Sequence, residues 1–306
     1  MIEVVTRLTL FQIDAFTTAP FTGNPAAVVL DGEGLDETTM QAIAREMNLS
    51  ETAFLSSPSV PAAHYRLRWF TPTREVTFCG HATIATCHAL FEAARLSPAL
   101  LPTRIVFETL GGLLPVSVEM HEGWGIRAWI EPALPKIEPF SGPLAPLLDA
   151  LGLGSDTLLP SVPVVTTSER DLLLPVRTLE VVRRLAPEST RLAAIAEAHR
   201  LRGICVTTFE TLEPGSACHS RFFAPHYGIP EDPVTGSVHA SLPLLLWEAG
   251  RLPRTDGVHR IQAEQGDELG RPGRLLLDIT VAAGAPTAIR VGGQAVTVAR
   301  GEIFVP

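Results

Sequence analysis

Three short stretches of the sequence carry side chains that could move a proton. The stretch "LSETAF" places the carboxylate of Glu51 between an apparent helix end and an apolar run. The stretch "CGHAT" carries His81 two residues after Cys79, and "EDPVTGS" carries Asp232. Carboxylates and imidazoles are common general acids and bases in enzymes. These stretches therefore indicate acid/base chemistry, with Glu51, His81 and Asp232 as the candidate catalytic residues.

A second feature of the same stretches is a glycine in front of each of two predicted helices, Gly80 and Gly236. The free N–H groups and the positive dipole of a helix N-terminus bind anions without any lysine. We therefore expect a carboxylate-bearing substrate to lie between residues 80–83 and 236–239. The candidate substrate-binding residues are Asn24, Gly80, Ala82, Thr83, Gly236, Ser237 and His239.

Each of these residues also has a purely structural interpretation. Glu51 could be a solvated loop carboxylate, and His81 or His239 could be a packed histidine. Ser237 has the type and place of a helix N-cap, and Asn24 in "FTGNPAA" that of a turn residue. The residue types alone leave both interpretations open.

Metal and cofactor sites have weaker signals. The pair Cys79 and His81 has no second pair at zinc-finger spacing, and Cys87 and His88 point to different faces of a helix. The stretch "LGLGSD" lacks the rest of a dinucleotide-binding fingerprint. We therefore expect no metal ion and no cofactor.

The composition limits the partners of the protein. The chain has 306 residues, 46% of them hydrophobic, and a formal net charge of -9 without a lysine or arginine run, so a nucleic-acid partner is not expected. The N-terminal stretch does not resemble a signal peptide, and no apolar run is long enough to cross a bilayer. The four cysteines form no CxxC pair. These features are typical of a reduced, cytoplasmic protein with no membrane partner.

The sequence repeats itself at about half its length. The stretch "RWFTPTREVTFCGHATIA" from Arg68 resembles "RFFAPHYGIPEDPVTGSVHA" from Arg221, which lies 153 residues later. After a short insertion the offset becomes 156, as between Gly80 and Gly236, and it then aligns Glu108 with Glu264. A register that is kept across several motifs indicates an internal duplication.

The elements that must position the candidate residues follow from local patterns. Short β-rich runs are bounded by Gly, Pro and Asn, and they alternate with two predicted helices. Asp36 is the predicted N-cap of the first helix. The second helix, at 81–96, is apolar nearly all round and is therefore expected to be buried. Pro243 should kink the matching helix of the second half. We predict an α+β fold with two domains, 1–130 and 131–306, whose last strand near 294–306 can return to the first domain, and a site in the cleft between them.

Five motifs together resemble the phenazine-biosynthesis PhzF-like family. They are "IDAFTTAPFTGNPAAVV", "MNLSETAFL", "RWFTPTREVTFCGHAT", "GIPEDPVTGSVHA" and "QGDELGRPGRL", in order across nearly the whole chain. The resemblance implies the diaminopimelate-epimerase-like fold, in which each domain is a mostly antiparallel sheet curled round a central helix, and a homodimeric biosynthetic enzyme. It also implies cofactor-free isomerisation, in which Glu51 moves a proton while His81, Asp232 and Ser237 surround a small anionic substrate.

Related epimerases use two cysteines as opposed acid and base. Cys79 occupies the first of these places, but "DPVTG" contains no cysteine for the second. The sequence therefore favours a one-base proton shuttle. Two alternatives stay open: a binding protein that keeps the fold without catalysis, and an epimerase that uses Cys79 with Glu51 or Asp232. The family's best-known substrate is a dihydro-hydroxyanthranilate, but the sequence does not identify the substrate of this member.

Overall fold

The computed structural model describes residues 6–121, 123 and 125–305. Its internal contacts divide the chain into two compact units. Unit 1 consists of Met1–Glu131 and Gly292–Pro306, and unit 2 of Pro132–Val291. Each unit contains its own set of strands and helices.

Unit 1 is built on a mostly antiparallel sheet. Its strands are β1 (Thr6–Ala15), β2 (Asn24–Val29), β3 (Glu51–Ser56), β4 (Tyr65–Phe70), β5 (Glu75–Val76), β6 (Thr103–Thr109), β7 (Gly112–His121), β8 (Gly125–Ile130) and the last strand of the chain, β18 (Ala295–Val305). They pair in the order β18-β1-β2-β3-β4-β6-β7-β8. Two of the pairings, β2 with β3 and β4 with β6, are parallel.

Unit 2 repeats this arrangement. Its strands are β9 (Ile137–Pro139), β10 (Val165–Thr167), β11 (Asp171–Pro175), β12 (Gly203–Thr208), β13 (Ser216–Ala224), β14 (Ile229–Asp232), β15 (Gly257–Gln265) and β16 (Gly273–Ala282), and β17 (Ala285–Gly293) follows. From β10 to β16 the pairings are antiparallel, parallel, antiparallel, parallel and antiparallel. Unit 1 has the same sequence of pairings from β1 to β7, so the repeat in the sequence is a repeat in the fold.

Helix α1 (Glu37–Met47) covers one face of the unit 1 sheet. Asp36 caps it, because its Oδ1 accepts a hydrogen bond of 2.7 Å from the N–H of Thr39. Met40 and Ile43 are buried against an apolar cluster that contains Phe54. The predicted cap of this helix is confirmed.

Helix α2 (Gly80–Glu92) is the buried helix of unit 1. All its residues from Gly80 to Leu90 are buried, and it contacts β1, β2, β3, β8 and β18. A helix that is apolar on every side has to be enclosed, and here the strands enclose it. The predicted burial of this segment is confirmed.

The corresponding segment of unit 2 is interrupted. Helix α6 (Gly236–His239) is one turn long, and α7 (Leu242–Glu248) follows it after a break. Pro243 explains the break, because it has no N–H group to donate to the carbonyl of His239. The remaining helices of unit 2 are α3 (Leu144–Ala150), α4 (Leu179–Arg183) and α5 (Ser189–Ala198), which bury their apolar faces together.

Two further findings concern the chain as a whole. All four cysteines are buried, and within the described residues none of them forms a disulfide. In the part of the chain that the structure describes, every helix is too short or too polar to cross a membrane.

Candidate functional site

Glu51 is positioned by the turn between α1 and β3. Asn48 ends α1 in the left-handed conformation, with φ 50°, and its N–H bonds to the carbonyl of Ala44. The chain then enters β3, of which Glu51 is the first residue, opposite Ala26 of the parallel strand β2. The Glu51 side chain is 13% exposed. The strand start therefore holds the carboxylate at the edge of the buried interior.

His81 lies beside this carboxylate. Its Nε2 is 3.2 Å from Oε2 of Glu51, at an angle that makes this a polar contact rather than an aligned hydrogen bond. Its Nδ1 is 3.2 Å from Nδ2 of Asn24. An amide nitrogen can only donate, so Nδ1 accepts, and the hydrogen of the neutral ring is on Nε2, facing Glu51. Burial lowers the pKa of His81 to about 3, so the ring is neutral at neutral pH.

Asn24 reaches His81 from the start of β2. It is fully buried and pairs with Ala15 of β1. The preceding loop is tightly held, because a side chain at Gly23 would lie 2.2 Å from the carbonyl oxygen of Ala15 and because Asp14 accepts a hydrogen bond of 2.7 Å from the N–H of Phe21. The prediction that Asn24 begins a turn was wrong: the turn ends before it, and Asn24 begins a strand.

Cys79 completes the group in unit 1. Its Sγ is 3.6 Å from Nδ1 of His81. One ligand atom each from Glu51, Cys79 and His81 lie within 4.8 Å of one another. Oxygen, sulfur and nitrogen together are donors that zinc accepts. Spacing along the sequence did not suggest this grouping, because Glu51 comes from a different element. The expectation that no metal binds stays a prediction.

The start of α2 presents backbone donors. Gly80 and Ala82 lie in its first turn, and Cys79, at the cap position, makes no side-chain capping bond. The hydroxyl of Thr83 donates to the carbonyl of Cys79 at 2.6 Å. The backbone at residues 80–82 is therefore a more suitable anion partner than the hydroxyl of Thr83.

In unit 2, Asp232 ends β14 and is 7% exposed. The hydroxyl of Thr235 donates to its Oδ2 at 2.6 Å. Helix α6 then begins at Gly236, with Thr235 at the cap position. The prediction of Ser237 as the N-cap was wrong, because Ser237 is already inside the helix. Four residues also carry a much smaller dipole than the 13 residues of α2, so the two helix starts differ in strength as anion sites.

His239 is enclosed within unit 2. It is fully buried, and its Nδ1 donates to the carbonyl of Thr235 at 2.8 Å. Burial lowers its pKa to about 4, so the ring is neutral. Its Nε2 is then an acceptor for which the described residues offer no hydrogen-bond partner. A buried acceptor of this kind can receive a ligand hydrogen only after a local rearrangement.

The structure thus gathers four of the sequence-derived residues in unit 1, namely Asn24, Glu51, Cys79 and His81. Asp232, Ser237 and His239 belong to unit 2. Sequence reasoning missed Gln265, which makes several hydrogen bonds to the segment that carries Asp232. The signal was present in the motif "QGDELGRPGRL", to which no role was given.

Comparison with known proteins identifies the family. The model of the phenazine biosynthesis-like protein family matches residues 13–301. The uncharacterized isomerase PA2770 of Pseudomonas aeruginosa is 40% identical over 277 residues, which cover 89% of this chain and 92% of the relative. A crystal structure of a PhzF-family phenazine biosynthesis protein from Bacillus anthracis is 30% identical, with a TM-score of 0.88, and the match covers 98% of this chain and 100% of that one.

A more distant structure supports the fold alone. A hydroxyproline epimerase from Agrobacterium vitis is 12% identical, with a TM-score of 0.62, over 98% of this chain and 93% of that one. Together these matches confirm the predicted α+β, diaminopimelate-epimerase-like fold. The chain belongs to the phenazine biosynthesis-like protein family, and with that family it is an isomerase.

Proposed function

We propose that the protein is a cofactor-independent isomerase that moves a proton on a small, carboxylate-bearing, cyclic or unsaturated substrate. Glu51 is the proton shuttle, and His81 and Asp232 assist it. The contact of 3.2 Å between Glu51 and His81 carries this proposal. It joins a carboxylate at a strand start to a neutral imidazole at a helix start, 30 residues apart in the chain.

The proposed reaction has two proton transfers. Glu51 first takes a proton from a substrate carbon: the C–H bond breaks, an O–H bond forms on the carboxylate, and the electron pair enters the conjugated system of the substrate. The protonated Glu51 then returns the proton to a different carbon of that system. No electrons are gained or lost overall, so acid/base catalysis suffices, and its typical contribution is roughly 10²–10⁴-fold in rate.

The neutral state of His81 suits this task. A charged imidazolium at 3.2 Å would form an ion pair with Glu51 and would make its carboxylate a weaker base. Because burial keeps the pKa of His81 near 3, the ring instead offers an uncharged N–H to the carboxylate. Asn24 fixes this tautomer through Nδ1. His81 can therefore contact Glu51 without neutralising it.

The substrate carboxylate is assigned to the start of α2, at Gly80 and Ala82. This helix is the longer of the two candidate anion sites, and its start lies next to His81. Asp232 and Ser237 are proposed to orient the substrate, and Asn24, Thr83, Gly236 and His239 to line the site. Placing the substrate in this way would exclude water from Glu51 and keep its proton affinity high enough for it to act as an acid as well.

A second candidate function is a one-cysteine epimerase. The observation in its favour is the distance of 3.6 Å between Sγ of Cys79 and Nδ1 of His81, which brings the thiol into the same group as Glu51. Cys79 would then act opposite Glu51 or Asp232. This candidate requires the thiol, whereas the leading proposal does not.

The test begins with a ligand screen. Anthranilate, 3-hydroxyanthranilate, pyrrole-2-carboxylate and both enantiomers of proline are tested for thermal stabilisation, since a ligand at 100 times its Kd adds about 2.7 kcal/mol of stability. Each stabilising compound, or a non-aromatic relative of it where the compound is aromatic, is then incubated with the protein in D₂O. The incorporation of deuterium at carbon is measured by mass spectrometry.

The wild-type protein is expected to incorporate deuterium, and Glu51→Gln to lose at least about 10²-fold in rate while it keeps ligand stabilisation. Glu46→Gln is the matched control, because Glu46 is exposed on the neighbouring helix α1. Unchanged exchange in Glu51→Gln would contradict the role of Glu51. Stabilisation without any exchange in the wild type would instead favour a binding protein without catalysis.

A further inference from the structure

The motif "QGDELGRPG" packs against the segment that carries Asp232. Its first residue, Gln265, ends β15, and its last residue, Gly273, begins β16. Gln265 is 1% exposed. A buried amide in a strand has to find hydrogen-bond partners inside the protein. Its partners show which part of unit 2 it holds.

Gln265 uses both ends of its amide on the segment 232–235. Its Nε2 donates to the backbone carbonyl of Asp232 at 2.7 Å and lies 3.1 Å from Oγ1 of Thr235. Its Oε1 accepts the backbone N–H of Thr235 at 3.0 Å. The hydroxyl of Thr235 in turn donates to the carboxylate of Asp232. One side chain thus holds the backbone at both Asp232 and Thr235.

Two glycines of the motif allow this close approach. At Gly266, with φ 94°, a Cβ would lie 2.6 Å from the carbonyl oxygen of Pro233. At Gly273 a Cβ would lie 2.3 Å from a methyl group of Val234. Larger residues at either place would push the segment away, and the amide of Gln265 would no longer reach it.

The described part of unit 1 has a different arrangement at the matching place. The residue 156 positions before Gln265 is Thr109, whose hydroxyl bonds to its own turn, at the carbonyl of Gly112 and the N–H of Gly111. The shared fold therefore forms without the hydrogen bonds from Gln265 to residues 232–235, which we call the clamp. The clamp occurs in the unit in which the polar segment carries an aspartate.

We propose that Gln265 is a positioning residue for Asp232: it holds the backbone of residues 232–235 so that the aspartate and the start of α6 face the substrate in a fixed orientation. This inference rests on the proposed function for its catalytic meaning. Its physical content, a clamp on one segment, can be measured without a substrate.

The measurement is residue-resolved amide hydrogen exchange by NMR, corrected for intrinsic exchange rates. In Gln265→Ala the N–H of Thr235 loses its acceptor, and its protection is expected to fall about 10- to 100-fold. Gln262→Ala is the matched control, since Gln262 lies on the same strand but bonds to Glu213 and Ser216. It should leave the protection of Thr235 within about threefold of the wild type.

The isosteric variant Gln265→Glu supplies a readout that lost packing alone would not produce. A protonated glutamic acid can still donate to the carbonyl of Asp232. The ionised form can still accept the N–H of Thr235, but it cannot donate and it repels the carbonyl oxygen and the carboxylate of Asp232, so it pushes the segment away. Burial near Asp232 raises the pKa of the new carboxyl. Protection of Thr235 should therefore approach the wild-type value at about pH 5 and be lost at about pH 8. The wild type and Gln265→Ala should show no such pH-dependent recovery.

Turnover then tests the catalytic meaning of the clamp. With a substrate from the screen, Gln265→Glu at about pH 8 should lose at least about tenfold in kcat relative to the wild type at the same pH, with KM changed less than about threefold. The difference should shrink at about pH 5, and Gln262→Ala should match the wild type at both values. Full turnover in a variant that has lost Thr235 protection would overturn the positioning role.

The two proposals fail in different ways. Unchanged protection of Thr235 in Gln265→Ala, or protection in Gln265→Glu that does not vary with pH, overturns this inference and leaves the proposed function intact. Absence of deuterium incorporation by the wild type overturns the proposed function alone. If Gln265→Ala does not fold, the pH response of Gln265→Glu decides the outcome.

Discussion

Units 1 and 2 have the same supporting ion pair in the same place. In unit 1, Arg68 bonds through Nε and Nη2 to both oxygens of Glu75, at 2.7 Å each. In unit 2, Arg221 bonds in the same way to Glu231, at 2.8 Å each. The two arginines are 153 residues apart and the two glutamates 156, which are the offsets of the sequence repeat. The pair ties β4 to β5 in unit 1 and β13 to β14 in unit 2.

A second supporting contact is also repeated. Glu108 and Glu264 each accept hydrogen bonds from two successive backbone N–H groups of a loop. For Glu108 the donors are Ser59 and Val60, and for Glu264 they are Leu212 and Glu213. Carboxylates that accept backbone N–H groups are strong local ties. The contacts that maintain the fold are therefore present in both units.

The residues that could do chemistry are not repeated. Glu51 is the first residue of β3, and the first residue of β12 is Gly203, where a side chain would collide with the ring of Phe222. At the offset of 156, Ser237 stands in the place of His81.

Cys79 is likewise matched by Thr235 rather than by a second thiol. The repeat preserves the scaffold, whereas the Glu51–His81 pair has no counterpart at the matching positions of unit 2, which are Gly203 and Ser237. This asymmetry supports a one-base shuttle over a mechanism with matched acid and base groups in the two halves.

The largest expected effect separates the two arginines. Arg221 also donates to the carbonyls of Val182 and Leu185, whereas the other partners of Arg68 are the exposed Glu37 and the sulfur of Met40. Arg221→Ala should therefore destabilise the protein by about 3–5 kcal/mol, and Arg68→Ala by about 1–3 kcal/mol. Urea unfolding measures both. Equal losses would show that the additional bonds of Arg221 contribute nothing.

The next difference lies in the groups beside the paired glutamates. His219, beside Glu264, occupies the place that Arg66 has beside Glu108, and it is fully buried between Glu264 and Glu268, at 3.0 Å from each. Burial by itself would lower the pKa of His219, but the hydrogen bonds to the two glutamates outweigh it and raise that pKa to about 9. Burial would likewise raise the pKa of Glu264, but its hydrogen bonds from His219 and two backbone N–H groups lower it to about 2.

These shifts predict a stability that depends on pH. Because the pKa of His219 is raised on folding, its stabilising contribution is complete below its unfolded value near 6.5 and is lost as the pH rises to about 9. The slope is about −1.4 kcal/mol per pH unit, for a total of roughly 3 kcal/mol. The contribution of Glu264 has the opposite sense: it is complete above an unfolded pKa of about 4.5 and is lost as the pH falls to about 2.

His219→Gln should remove the alkaline part of this dependence. The difference in unfolding free energy between wild type and variant should be largest near pH 6 and should shrink towards pH 9. Arg66→Gln is the control from unit 1, because a guanidinium does not titrate in this range. A difference for His219→Gln that does not change with pH would contradict a charged His219.

A smaller effect is expected at Cys79. If Glu51 is the only shuttle, Cys79→Ser should change kcat by less than about threefold, because the change replaces one atom and leaves Glu51 and His81 in place. A one-cysteine epimerase would instead lose at least about 10²-fold. The measurement is deuterium incorporation, with Thr235→Ser as the matching change in unit 2. A large loss at Cys79 alone would favour the second candidate function.

No effect is expected from removal of metal ions. Dialysis against a chelator should leave turnover unchanged if the Glu51, Cys79 and His81 group works as an acid/base site. Loss of turnover that zinc restores would show that these three donors hold an ion. In Cys79→Ser that restoration should weaken, because the thiolate is the softest of the three ligands.

Much of the fold could be predicted because its signals are local. Asp36 before an apolar periodic run specifies a helix start, and an apolar helix that begins at Gly80 has to be buried. Predictions that rested on a single residue type were less successful. Ser237 has the type of a cap residue and Asn24 that of a turn residue. In the structure, however, the helix already begins at Gly236, and Asn24 is the first residue of a strand.

The sequence by itself determined the family, the repeated scaffold and the residues that could carry a proton, because residue types and their spacing are properties of the chain. Only the tertiary structure decided which of them meet. Glu51 contacts His81 because β3 pairs with β2 and because α2 lies against both strands. Gln265 contacts the Asp232 segment because Gly266 and Gly273 let two backbones approach closely. Contacts of this kind join residues about 30 positions apart, and they depend on burial and strand register, which no local pattern encodes.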